Sequence, residues 1–200
     1  MAITGYPRSG FTPSRELNPS YTQRVWVSAG GNFAFSKGDA VVAVNGVICP
    51  VTAGQDPTQY GYGVIVAVYS SGGGYGRPLT FNSNKTISSG QVGYADVCWD
   101  PNQRYFVQCV TSVGMSNLFK NVMIDVSAAN PQLGISGQSV DIPASASIND
   151  LFKIVGIGSF DQVVTGAGAT MSPRHASGGP NNGVEVAWNR HFLRAPTANQ

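Results

Sequence analysis

Short apolar runs rich in β-branched and aromatic residues recur along this chain, and residues 183–192 alternate between apolar and polar with a period of two, as β-strands do. The clearest hairpin is predicted where Ala40–Val44 and Val47–Cys49 flank Asn45-Gly46, because that dipeptide accepts the left-handed φ values of a type I′ turn. A second hairpin is predicted over residues 94–110, around a turn that begins at Asp100-Pro101. Other predicted strands lie at residues 62–69, 78–81, 121–127, 139–142, 151–158 and 183–192.

No window shows sustained helical periodicity, and short strands recur about every ten residues with turn residues between them. The sequence therefore predicts an all-β fold: a β-barrel or β-sandwich body with extended N- and C-terminal arms. We expect an N-terminal arm over residues 1–35, the body over residues 36–170, and a C-terminal strand and tail over residues 171–200.

The N-terminal arm is interrupted by prolines but is rich in aromatic residues. Pro7, Pro13 and Pro19 disfavour a helix or a central strand. Disordered tails are poor in aromatics, whereas this segment also holds Tyr6, Phe11, Tyr21, Trp26, Phe33 and Phe35. The pattern is typical of an extended strap, which packs either on its own domain or on a neighbouring subunit.

Charged residues make up 11% of the chain, against roughly 25% in an average globular protein. A surface of Ser, Thr, Asn, Gln and Gly favours close contact with other protein, although it is also common in turn-rich β folds. The net charge is +2, and no run of Lys and Arg is dense enough for a phosphate-binding patch, so no nucleic-acid partner is expected. No stretch approaches the ~20 apolar residues of a membrane span and no signal sequence is recognised, so we expect no membrane partner and a cytosolic origin.

Candidate catalytic groups are scattered and lack local motifs. Cys49, Cys98 and Cys109 have no CxxC spacing, which argues against zinc and against a disulfide framework. His175 and His191 lie far from any nucleophile motif, and His191 is expected to pack or to cap a strand. The glycine-rich segment 70–76 lacks the GK[S/T] ending of a phosphate-binding loop. The sequence predicts no catalytic residue, no metal site and no cofactor.

The order of several segments resembles a known family. Lys37-Gly38-Asp39-Ala40-Val41-Val42 is followed by a Tyr-Gly-Val-Ile-Val-Ala-Val-Tyr strand at 62–69, and then by WDPNQRYFVQC at 99–109. Later come LFKIVGI at 151–157 and GVEVAWN at 183–189. Over residues 35–192 this resembles the small β-barrel decoration, or cement, proteins of tailed-bacteriophage capsids.

The resemblance implies a non-enzymatic virion protein, made in the bacterial cytoplasm, that binds the outside of the capsid and bridges its subunits. Its implied partners are the major capsid protein and further copies of itself, as a dimer or trimer. The arm and tail are the segments expected to make these contacts, with arginines pairing with capsid carboxylates and aromatics acting as anchors. The expected partner-binding residues are Tyr6, Arg8, Phe11, Arg15, Tyr21, Arg24, Trp26, Arg190 and Arg194.

Three alternatives stay open at the level of sequence. A tail or head-fibre structural component would share the same composition. A carbohydrate-binding β domain would need aromatic side chains and Asp or Asn to converge on one concave face. A β-fold hydrolase would need a nucleophile motif.

Overall fold

The computed structural model describes residues 10–28, 35–44, 47–51, 61–70, 92–126, 136–144, 150–157, 162–165, 168–171, 182–189 and 191. These residues form β-strands joined by turns and two short 3₁₀ turns, Pro19–Tyr21 and Met115–Asn117, and the fold is all-β as predicted. None of the described segments is a helix long and apolar enough to cross a membrane.

The strands are β1 Thr12–Pro13, β2 Thr22–Ser28, β3 Ala40–Val44, β4 Val47–Pro50, β5 Gly61–Ser70, β6 Val92–Cys98, β7 Arg104–Cys109, β8 Asn121–Val126, β9 Gln138–Asp141, β10 Phe152–Ile157, β11 Gln162–Thr165, β12 Gly168–Met171 and β13 Asn182–Trp188.

Five of these strands close into a barrel in the order β7-β13-β10-β8-β9 and back to β7. The closing contact is parallel and short: Cys109 lies opposite Val140, and Val110 N donates to Val140 O at 3.0 Å. β1 pairs with the beginning of the same β7 edge, where Thr12 lies opposite Phe106. Closure leaves few unpaired strand edges, which limits edge-to-edge aggregation.

Alternation along the barrel strands explains its core. In β7, buried and half-buried residues alternate, so that Tyr105, Val107 and Cys109 point inward. The inward ring of Trp188 on β13 stacks on Phe152 of β10 with 4.4 Å between the ring centroids. Phe11, from the N-terminal segment, stacks on the other side of this cluster, 4.7 Å from Phe152. Burial of these large aromatic side chains, together with the Val and Ile residues around them, stabilises the barrel.

A second antiparallel sheet has the order β2-β6-β5-β3-β4, and it is buried on both faces at β3. Ala40 and Val42 join the barrel core, whereas Val41 joins a separate cluster with Ile65 and Val97. Sheets that are covered on both faces have nearly continuous apolar strands, which is why residues 40–44 are all Ala or Val. β11 and β12 form a separate two-stranded hairpin.

Of the two predicted hairpins, the first is confirmed and the second is wrong. β3 and β4 pair with Val44 opposite Val47 across Asn45-Gly46. β6 and β7, in contrast, belong to different sheets, since β6 pairs with β2 and β5 while β7 pairs with β13. The turn at Asp100 does form, with Gln103 N donating to Asp100 O at 3.2 Å. It carries the chain from one sheet to the other instead of folding it back. The strand predicted at 78–81 lies outside the described residues.

The described part of the predicted N-terminal arm belongs to the body. β2 is a full member of the second sheet, and Phe11 is only 1% exposed. Phe11 N donates to Gly38 O at 2.8 Å, and Ser14 N donates to Arg104 O at 2.9 Å. The segment from residue 10 to residue 28 is therefore a strap over its own domain, and residue 35 is not the boundary of an arm. Residues 1–9 and 192–200 lie outside the described part of the chain.

A glycine allows the strap to approach the body closely. Gly10 has φ +65°, and a Cβ atom there would lie 2.5 Å from Gly38 O and 2.5 Å from Ser136 Cβ. Both the left-handed backbone and the lack of space require glycine at this position.

Candidate partner-binding face

The outer surface of the second sheet carries an exposed cluster of aromatic and charged side chains. Successive residues of a strand point to opposite faces, so Val25 and Val27 of β2 face the inner cluster while Arg24 and Trp26 face outward. On β6, Asp96 lies opposite Arg24 and Tyr94 lies opposite Trp26. With Tyr69 of β5, opposite Tyr94, these residues form what we call the outer aromatic face: Arg24, Trp26, Tyr69, Tyr94 and Asp96.

A β-bulge brings Tyr69 to this face. Ile65 lies opposite Val97, but the register then shifts so that Ala67, rather than Val66, lies opposite Asp96. The extra residue reverses which side of the sheet the following positions occupy. Ile65 and Val68 consequently share the inner cluster, and Tyr69 faces outward.

Arg24 is held in place by two partners. Its Nε donates to Asp96 Oδ1 at 2.8 Å and its Nη2 donates to Asp96 Oδ2 at 3.1 Å, a bidentate pair. The guanidinium carbon also lies 4.2 Å from the centroid of the Tyr69 ring. Tyr69 also binds Asp96, since its hydroxyl donates to Asp96 Oδ2 at 2.7 Å, so Arg24, Asp96 and Tyr69 form a triangle of mutual contacts. The guanidinium has five N–H donors, so others remain for an acceptor on a partner.

The electrostatics of this triangle follow from the pairing. The hydrogen bond from Arg24 is the largest effect on Asp96 and lowers the pKa of its carboxyl group. The hydrogen bond to Asp96 in turn raises the pKa of the Arg24 guanidinium. Partial burial, followed by the hydrogen bond to Asp96, raises the pKa of Tyr69. At neutral pH the site is an ion pair with a neutral phenol, and it adds no net charge to the face.

Trp26 presents the largest apolar surface of the face. The residue is 51% exposed, although a tryptophan in a globular protein is usually buried to a large extent. Its ring meets Tyr94 edge-on, with 4.7 Å between centroids and 76° between planes. The neighbouring tyrosine restricts the indole on one side and leaves about half of the residue exposed.

A shallow groove runs beside the face. It has a volume of about 480 Å³ and is lined by Leu17, Pro19, Thr22, Arg24 and Asp96. The 3₁₀ turn Pro19–Tyr21 shapes its wall, and the Asn18 side chain caps that turn by accepting from Ser20 N at 3.0 Å. The Arg24–Asp96 pair thus borders both the aromatic rings and the groove.

The predicted partner-binding residues fall into four groups. Arg24 and Trp26 lie together on the outer aromatic face. Tyr21 is 39% exposed at the end of the 3₁₀ turn before β2, and Arg15 is exposed on the strap, where its carbonyl accepts from Gln103 Nε2. The prediction that Phe11 binds a partner is wrong, because Phe11 packs in the barrel core and is not available as a surface anchor. Tyr6, Arg8, Arg190 and Arg194 lie outside the described residues.

Sequence reasoning did not identify Tyr69, Tyr94 and Asp96 as members of this face. Their strands were predicted, and an outward position for Tyr94 and Asp96 follows from alternation once Ala95 and Val97 are placed in the core. The pairing of β6 with β2 was not predictable from local pattern. The bulge in β5 also reverses the side expected for Tyr69.

Other reactive groups are buried within the body. His191 packs edge-on against Trp188 at 5.2 Å, and its Nε2 lies 2.9 Å from Tyr62 O. Burial raises the pKa of the Cys109 thiol to about 11, so the thiol is protonated at neutral pH. Across the described ranges, no group of three or more His, Cys, Asp or Glu side chains is placed to hold a metal ion. His175 lies outside those ranges.

No protein-family model matches this chain, and neither a curated protein nor a solved structure matches it significantly.

Proposed function

We propose that this chain is a structural virion protein that binds the outside of a tailed-phage capsid and stabilises it by bridging subunits of the major capsid protein. The observation that carries the proposal is the outer aromatic face, where an exposed tryptophan and a fixed arginine lie side by side. Trp, Tyr and Arg are the residue types that most often dominate the binding energy of protein interfaces. The face is formed partly by Arg24 and Trp26, both expected from sequence to contact a partner.

Preorganisation favours the use of this face in binding. An arginine and a tryptophan that were free to move would lose rotamer entropy when a partner bound them. Here Asp96 and Tyr69 hold the guanidinium, and Tyr94 limits the indole, before any partner arrives. Many moderate contacts of this kind, repeated by capsid symmetry, provide avidity against the outward pressure of packaged DNA.

The test is co-sedimentation of the purified chain with expanded, undecorated tailed-phage capsids. We expect saturable binding by the natural chain and at least about tenfold weaker binding by Trp26→Ala and by Arg24→Ala. Gln23→Ala is the matched control, because Gln23 is exposed on the same strand, next to Arg24, and does not belong to the face. Absence of binding by the natural chain to any capsid overturns the proposal. Equal binding by all four proteins moves the contact to another surface.

Carbohydrate binding is a second candidate, because the same face brings aromatic rings and an aspartate together. A sugar ring stacks on an exposed indole, and Asp96 and Arg24 beside Trp26 supply an acceptor and donors for its hydroxyl groups. Glycan-array binding that is lost in Trp26→Ala, together with a change in tryptophan fluorescence on adding the sugar, would support it. A glycan signal without capsid binding would favour this candidate over capsid decoration.

A further inference from the structure

A second exposed apolar surface lies on the barrel, on β8 and the loop before it. Met115 is 77% exposed, Phe119 is 66% exposed, and Met123 in the middle of β8 is 40% exposed. With Asp125 on the same strand, and with Lys153 and Asp141 at its sides, we call this surface the β8 ridge. It belongs to the barrel, whereas the outer aromatic face belongs to the second sheet.

The loop that carries the apolar side chains is fixed by its own hydrogen bonds. Gly114 N donates to Asn117 Oδ1 at 2.9 Å, and Asn117 N donates to Gly114 O at 2.9 Å. Phe119 N donates to Ile154 O at 2.9 Å, which attaches the end of the loop to β10. Val113 and Leu118 pack inward against the barrel core, so the loop is held at both ends.

Phe119 has a backbone conformation that bulky residues rarely adopt. Its φ is +67°, in the left-handed region that favours Gly or Asn. Its exposed ring buries little surface within this chain to offset the strain. A strained residue that displays an apolar ring to solvent points to a contact outside the chain.

Charge changes sign along the β8 ridge. In an antiparallel ladder, residues directly opposite one another point to the same side of the sheet. Lys153 lies opposite Asn121, at the start of β8 and next to the exposed Lys120. Asp141 lies opposite Met123, and Asp125 follows two residues later on the same side of β8. The surface therefore runs from a basic end, through Met123, to an acidic end.

We infer that the β8 ridge binds a second copy of this chain across a two-fold axis near Met123. The two-fold axis lies in the plane of the interface, at about 45° to the direction of β8. Each Met123 therefore packs near its counterpart. The basic end of one copy meets the acidic end of the other. The two β8 strands then cross near a right angle, one of the two arrangements in which sheets pack. Each Lys153 faces Asp141 of the second copy, and the contact is repeated by symmetry. Because the β8 ridge carries both a basic and an acidic end, a second copy of the same surface fits it better than a partner that carries charge of one sign only.

This dimer forms in the free protein, so it is tested without a capsid and its failure is separate from failure of the proposed function. Sedimentation equilibrium of the full chain is expected to show a monomer–dimer equilibrium. Met123→Asp should weaken association at least about tenfold, because it places like charges on the two-fold axis. Gln23→Asp, which adds the same charge on an exposed position of β2, should leave association unchanged. A natural chain that stays monomeric at its highest soluble concentration overturns the inference.

A charge exchange tests the orientation of the two copies. Lys153→Glu and Asp141→Lys should each weaken association, and the double variant Lys153→Glu/Asp141→Lys should restore it within about threefold, since opposite charges again face each other. Additive losses in the double variant would contradict the arrangement. Thermal unfolding of each variant shows whether it is folded.

Two further variants separate docking from folding. Phe119→Asn should fold at least as stably as the natural chain, because Asn tolerates the left-handed conformation, yet it should associate more weakly. Met123→Cys should give dimers with a short bis-maleimide cross-linker. Gln23→Cys and the natural chain should not, once the half-buried Cys49 has been replaced by Ser in all three proteins, because Cys98 and Cys109 are buried. Cross-linking at Gln23→Cys as strong as at Met123→Cys, or dimers unaffected by Phe119→Asn and Met123→Asp, would refute the contact.

Discussion

The side-chain amide of Gln138 on β9 binds both backbone polar groups of Ala40 on β3. Gln138 Oε1 accepts from Ala40 N at 2.6 Å, and Gln138 Nε2 donates to Ala40 O at 3.1 Å. Both residues are buried, and they join the barrel to the second sheet. The amide makes the two hydrogen bonds that a neighbouring strand would make, at a point where the two sheets do not pair.

Removing this amide should destabilise the fold. Gln138→Met keeps the length of the side chain but leaves Ala40 N without its partner, whereas Ala40 O still accepts from Val51 N at 3.0 Å. An unsatisfied buried donor costs about 1–3 kcal/mol, so urea unfolding should show a loss of about 2 kcal/mol. Gln23→Met, at an exposed position, should change stability by less than about 0.5 kcal/mol. A similarly small change for Gln138→Met would mean that the amide does not stabilise the junction.

Asp39, beside Ala40, should make stability depend on pH in the direction opposite to most carboxylates. Burial is the largest effect and raises its pKa from 3.8 to about 6, although hydrogen bonds from the Ser136 side chain and from Ser36 N lower it. Because the folded pKa lies above the unfolded one, the stabilisation is fully present below pH 3.8 and is lost as pH rises through about 6. The pKa difference corresponds to a free energy of unfolding on the order of 3 kcal/mol.

Urea unfolding of the natural chain and of Asp39→Asn, at about pH 5 and about pH 7.5, checks this expectation. The asparagine side chain is neutral at both values, so the difference in stability between the two proteins should grow in favour of the Asp39→Asn variant as the pH rises. Comparing the two proteins at each pH cancels the contributions of all other groups, including Asp96. An identical pH dependence in both proteins would show that Asp39 does not titrate in this range.

Gly10 and Gly114 offer a matched pair of glycine substitutions. Gly10→Ala should destabilise the fold by more than about 2 kcal/mol, because the new Cβ would lie 2.5 Å from Gly38 O on a backbone with positive φ. At Gly114 nothing lies within 4 Å of the position of a Cβ, and φ is −123°. Gly114→Ala should therefore be neutral or slightly stabilising. Thermal unfolding measures both, and equal effects would contradict the close approach of the strap.

Truncation from the N-terminus should show how much of the predicted arm the fold requires. A chain lacking residues 1–9 keeps every described contact of Phe11 and of β2, so it should unfold cooperatively near the stability of the natural chain. A chain lacking residues 1–35 loses β2 and the Phe11 ring, and truncating a buried Phe side chain alone costs about 3–5 kcal/mol. We expect that chain to be insoluble or unfolded by circular dichroism. A stable fold without residues 1–35 would show that the strap contributes little.

The two truncations also refine the capsid experiment. Only the shorter one tests whether residues 1–9 contact a partner, since the longer one removes part of the fold. Loss of capsid binding on removal of residues 1–9, with Trp26→Ala still bound, would place the main contact in the arm.

Local pattern was sufficient to predict the class of the fold and most of its strands. The alternating residues of β7 mark a half-buried strand, and Asn45-Gly46 marks the β3–β4 turn, because both signals depend on neighbours along the chain. The expectation that Arg24 and Trp26 contact a partner came from their place in the predicted N-terminal arm and from the family resemblance.

Tertiary structure alone decided which strands pair and what covers them. Asp100-Pro101 specifies a turn, but whether β7 returns to β6 or crosses to β13 depends on side-chain packing between distant segments. For the same reason Phe11 could not be distinguished from a surface anchor until the barrel core was seen to enclose it. The outer aromatic face required both a cross-strand register and a β-bulge that moves Tyr69 to the other side of its strand. Alternation thus specifies that a residue lies on one side of a strand, while only long-range packing determines whether that side is buried or faces a partner.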